Sequence, residues 1–111
     1  MLAAGDRVLR VDRAIAADQA HGEYIGVARF SAAGAASLRA HYHRVRSQVD
    51  GQVWKGGAPF RKAYLIHLYE EMLTAGEAFH MVTTDGQYME VDTEEDFELA
   101  NASWPERYAA P

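Results

Sequence analysis

The chain has 111 residues, enough for one domain, and carries 16 acidic against 11 basic side chains for a net charge of −5. Its 49% apolar content is that of a globular chain, while the acidic balance argues against general nucleic-acid binding, which draws on a basic face. The lack of cysteine excludes disulfides, thiolate metal ligands and a thiol nucleophile, and without a basic leader or a membrane-length apolar run the sequence predicts a soluble, cytoplasmic protein.

In chain order, residues 7–15 alternate apolar and polar over Leu9-Arg10-Val11-Asp12, the pattern of a half-buried strand. Residues 24–30 (YIGVARF) are too short an apolar run for most helices and are rich in aromatic and β-branched side chains, which predicts a buried strand. Ser31 then suits a helix N-cap. Ala35, Leu38, Tyr42, Val45 and Val49 follow along one helical face, and Gly51 is placed to end that helix.

Residues 52–59 (QVWKGGAP) read as a loop. A second helix is predicted over 60–75 with Gly76 as its stop, and its broad apolar content (Leu65, Ile66, Leu68, Tyr69, Met72, Leu73) predicts packing on more than one side. Segments 79–84 and 87–91 flank Asp85-Gly86, a dipeptide whose tolerance of positive φ favours a two-residue hairpin. Thr93 with Asp96 three positions on has the form of a capping box. It opens a short helix with Phe97, Ala100, Asn101 and Trp104 on one face, and residues 105–111 are expected as a tail. The order of strand, strand, helix, helix, hairpin, helix places the chain in the α/β or α+β class.

Asp92 falls where a predicted strand hands over to a predicted helix. Ligands of open α/β folds gather at the carboxyl ends of strands, and a helix N-terminus favours phosphate oxygens. A carboxylate there can hold Mg²⁺ while the ion keeps waters and takes phosphate ligands from a substrate. From spacing alone, Asp92 also reads as an acidic residue serving only the dipole of the following helix.

The run Glu90-Val91-Asp92-Thr93-Glu94-Glu95-Asp96-Phe97, with an aromatic at Tyr88, resembles the closing motif of the sugar-phosphate and choline-phosphate nucleotidyltransferases. Residues 22–30 (GEYIGVARF) look like that family's Gly-Glu-aromatic-Ile-Gly strand, and residues 63–76 (AYLIHLYEEMLTAG) resemble the helix before its hairpin. The resemblance covers about residues 7–102 and is nearest to the cytidylyltransferases that act on phosphocholine or phosphonates.

The resemblance implies a partial, Rossmann-like nucleotidyltransferase fold: a C-terminal, acceptor-side half with a mixed sheet, a β-hairpin and three helices, forming a single domain. It further implies Mg²⁺-dependent attack of a phosphate or phosphonate oxygen of an acceptor on the α-phosphate of CTP or another NTP. Catalysis of that kind is mainly positioning and charge neutralisation. Asp92 matches the family's second metal-binding Asp, Glu23 an acidic position near the acceptor, and His67 a position where many relatives have Asp. The family's Gly-rich nucleotide loop and first metal Asp have no counterpart, so the expectation is an enzyme half that needs an N-terminal partner segment. The alternative is a non-catalytic oligomerisation or ligand-binding module derived from the same fold.

Among the remaining residues, Trp54 beside Gly56-Gly57 is the aromatic most suited to face a ligand. Lys55, Arg61 and Lys62 form a basic patch that suits either acceptor phosphate or an ordinary solvated helix start. The five histidines lack ligand spacing, since His41 and His43 are two apart on a predicted helix and point to different faces. A partial sheet leaves apolar surface uncovered, which predicts self-association.

Overall fold

The structure is a computed structural model that describes residues 1–49, 51–84, 86 and 88–108. It is a mixed α/β arrangement with a two-stranded antiparallel sheet and three helices. Strand β1 (Leu2–Ala4) pairs with β2 (Arg7–Arg10) through Ala4↔Arg7 and Ala3↔Val8. The two-residue turn between them is Gly5-Asp6. With Gly5 at φ 60° in its first position, this dipeptide meets the conformational demand of a tight hairpin, a signal that lay in the sequence unused. The other edge of β2 is met by the stretch around His80. An isolated bridge joins Arg7 to His80, and the Val8 N–H donates to the Phe79 carbonyl at 2.9 Å.

Two predicted strands are therefore corrected. Residues 24–30 form no strand, and Val27 is 74% exposed. Their apolar side chains pack as rings instead: Tyr24 and Phe30 lie 5.7 and 6.0 Å from Tyr69, centroid to centroid. The hairpin over 79–91 is also not formed among the described residues, because the chain near His80 pairs with β2, far away in sequence, and 88–92 has no strand partner. Asp85 and Gln87 lie outside the described residues. The strand at residues 7–15 shortens to Arg7–Arg10, where Asp12 turns the chain by accepting the Ala14 N–H at 2.9 Å.

The helices follow the sequence more closely. Helix α1 (Ala32–Val49) starts at Ser31, whose Oγ accepts the Gly34 N–H at 3.0 Å. Helix α2 (Leu65–Thr74) begins later than predicted, after a single 3₁₀ turn (Phe60–Lys62). It ends in a Schellman arrangement. Gly76 at φ 95° lets its own N–H reach the Leu73 carbonyl and the Glu77 N–H reach that of Met72, each at 3.0 Å. Helix α3 (Glu94–Tyr108) runs into the expected tail, the backbone staying helical past Pro105 even though a proline withholds one donor from the ladder.

Val45 of α1 and Leu68 and Met72 of α2 form the core, with Leu38, Val49, Trp54, Phe60 and Phe79 packed against them. Val8 and Tyr69 are also buried where α2 meets β2. Burial pushes the Tyr69 phenol up, and its contact with the Tyr24 hydroxyl at 3.4 Å adds to the effect. Acidic residues of α2 tie neighbouring elements together: Glu70 meets Arg10 and Lys55, and Glu71 meets Arg44 and Lys55. Among the described residues, no helix is long and apolar enough to cross a membrane.

Candidate functional site

Asp92 lies just before Thr93, the residue that precedes α3, and the start of that helix is built by a reciprocal cap. The Asp96 N–H donates to Thr93 Oγ1 at 3.1 Å, while Asp96 Oδ2 accepts the Thr93 N–H at 3.0 Å and the Thr93 hydroxyl at 2.7 Å. This is a capping box with Asp in the place of the usual Glu or Gln. The Asp92 N–H also points to Asp96 Oδ2, at 3.3 Å. The Thr93 bonds, ahead of the backbone donors, hold the Asp96 carboxyl below the usual carboxylate range. Asp96 is thus committed to the backbone, whereas the Asp92 carboxylate stays exposed and available. Asp92 does not stand at a strand end, so the strand part of the sequence argument falls away and the helix N-terminus remains.

Asp92 and Glu23 line one open cleft of about 1000 Å³. Asp12, Glu90, His21 and Arg13 line it too, with Tyr64 and Leu65 on its apolar side. Folding of the amino-terminal segment forms this wall: the Met1 nitrogen donates to the Gly22 carbonyl at 2.9 Å, and the His21 N–H returns a bond to the Met1 carbonyl at 3.0 Å. Tyr88 reports the local field. Its phenol is raised first by desolvation and then by Glu90, Asp92 and Glu23, so these three carboxylates act on one point. Asp12 behaves oppositely, its carboxyl lowered by the Ala14 N–H and then by Arg10.

The other residues singled out from sequence lie elsewhere. Trp54 packs against the core and faces a second, smaller hollow. Lys55 is held by Glu70 at 3.3 Å and Glu71 at 3.7 Å, so its charge is already answered. Lys62 sits exposed on the 3₁₀ turn, outside the walls of the cleft. The His67 ring packs edge-on to Trp54 and Tyr64, with Nδ1 buried and lacking a hydrogen-bond partner among the described residues. Sequence reasoning missed Asp12, Arg13 and Glu90 as cleft residues. Only Glu90 carried any signal, its place beside Asp92. Tyr64 is 58% exposed and has the Arg13 guanidinium 4.8 Å from its ring centroid.

Oxygen ligands suit a hard cation such as Mg²⁺, which is commonly held by one or two carboxylates with the remaining positions filled by water and phosphate. Asp92, exposed at the start of α3, is one such carboxylate, and Glu23 lines the same cleft. Among the described residues, no group of three or more His, Asp or Glu side chains is gathered closely enough to hold a metal ion alone. Comparison of the chain with protein-family models, with curated proteins and with solved structures gave no match.

Proposed function

We propose that the chain is the acceptor-side part of a Mg²⁺-dependent nucleotidyltransferase site, completed by a nucleotide-binding segment that adds the Gly-rich loop and a further carboxylate. In this reading the Rossmann-like sheet is assembled jointly, with β1, β2 and the His80 stretch as one margin of it. Asp92 is the metal ligand and Glu23 faces the acceptor. The metal supplies charge neutralisation of the phosphates when bound. The chain's own residues position the acceptor oxygen. Support for the reading is a single observation: Asp92 and Glu23, remote in sequence, share one cleft beside the start of α3. Calorimetric titration of CTP with Mg²⁺ tests it, using the chain alone and mixed with the N-terminal half of a nucleotidyltransferase. Binding in the mixture that weakens about tenfold or more in Asp92→Asn supports the reading; binding indifferent to Asp92, or none, contradicts it.

A second reading, a non-catalytic interaction module, is favoured by the amount of surface. The accessible area is 8431 Å², where a compact chain of 12.3 kDa exposes roughly 6100 Å². Phe97 and Leu99 of α3 are 58% and 57% exposed. Such apolar exposure suits a chain that is covered by a partner or a second copy.

A further inference from the structure

Beside the carboxylate cleft, and sharing Tyr64 and Leu65 with it, lies a smaller hollow of about 170 Å³. Its walls are mainly rings. Trp54 and Phe60 sit 5.2 Å apart, centroid to centroid, and Phe60 and Tyr42 5.3 Å apart, all three tilted rather than stacked. Trp54 and Phe60 are backed by the helical core, which fixes their positions. Tyr42 stands more open, at 40% exposed.

Size selects the ligand class. An apolar protein cavity of roughly 150 Å³ takes up benzene, so this hollow of about 170 Å³, half open to solvent, has room for a single six-membered ring. Charge selects the substituent. Arg61 lines the hollow and has no ion pair among the described residues. The nearby acids of α2 are engaged by Arg10, Arg44 and Lys55. The Tyr64 ring already carries the Arg13 guanidinium, so two cations border the site and disfavour an ammonium ligand. A carboxylate meets an arginine through paired, charge-assisted bonds.

We propose that this hollow binds a small monocyclic aromatic carboxylate, its ring among Trp54, Phe60 and Tyr42 and its carboxylate on Arg61. Asp92 is not among its walls, so the site stands or falls independently of the metal reading. The test titrates benzoate, benzyl alcohol and benzyltrimethylammonium into the Trp104→Phe protein, in which Trp54 is the sole indole, and follows its fluorescence. Benzoate is expected to give a saturable change, with benzyl alcohol at least tenfold weaker. Arg61→Gln is expected to remove that preference and Arg61→Lys to keep part of it, both with unchanged circular dichroism. No saturable response to benzoate, equal binding of the alcohol, tighter binding of the ammonium, or an Arg61→Gln protein that still prefers benzoate would each overturn the proposal.

Discussion

Thr93 and Asp96 show how two side chains divide the work at the mouth of the cleft. Their reciprocal bonds close the start of α3 and leave Asp92 free to face solvent. Replacing Thr93 with Ala removes the cap and is expected to cost about 1 kcal/mol, read from urea unfolding. Because the Asp96 carboxyl is lowered in the folded chain, its contribution is present above the ordinary carboxylate pKa and is lost as pH falls through the lowered value. Helical ellipticity is therefore expected to fall on acidification in the wild type and to respond less in Asp96→Asn. Gly56 is a second sensitive position. It sits at φ 72°, and a Cβ there would come within 2.6 Å of His67 Cε1. Gly56→Ala is expected to lower the thermal midpoint by several degrees, and a midpoint equal to wild type would show that the loop gives way freely. These local devices were legible from sequence because a cap depends on residues three positions apart. The packing of His67 against Gly56 was not, since it joins a loop to a helix with no pattern to announce it.

At the scale of elements, α1 and α2 carry the stability. Met72 is 2% exposed between them, and Met72→Ala is expected to cost about 2–5 kcal/mol in denaturant unfolding. That is a large share of the total for a domain of this size. A loss under about 1 kcal/mol would mean that the two helices are not packed as described. Helix periodicity was readable for the same reason caps were: Leu38, Val45 and Val49 of the predicted stripe do face the core. Strands were less readable, because a strand needs a partner that sequence does not name. The run at 24–30 has strand composition, yet it spends its aromatic rings on Tyr69, while β2 pairs with the modest stretch at His80. The Gly5-Asp6 turn was the exception, a local signal for a hairpin that alternation further along overshadowed.

For the whole molecule, the radius of gyration is 16.9 Å against roughly 13 Å for a compact chain of this length. Together with the exposed Phe97 and Leu99, this leads to an expectation of self-association, or of capture by a completing segment. Light scattering across a hundredfold concentration range checks it, and a constant monomer mass would contradict it. The cleft itself was only half legible. Asp92 and Glu23 could be named through a resemblance of motifs, but Asp12, Arg13 and Glu90 reach the same space only because the fold brings the amino-terminal segment to the same cleft as residues 90–92. Its claimed task is to hold a divalent cation, and the most direct measurement uses Mn²⁺, a paramagnetic ion with the same preference for oxygen ligands. Proton relaxation at neutral pH is expected to show the Tyr88 ring broadening first, at substoichiometric Mn²⁺, with the effect sharply reduced in Asp92→Asn. Broadening that ignores Tyr88, or that is the same in Asp92→Asn as in the wild type, would contradict a cation held by Asp92.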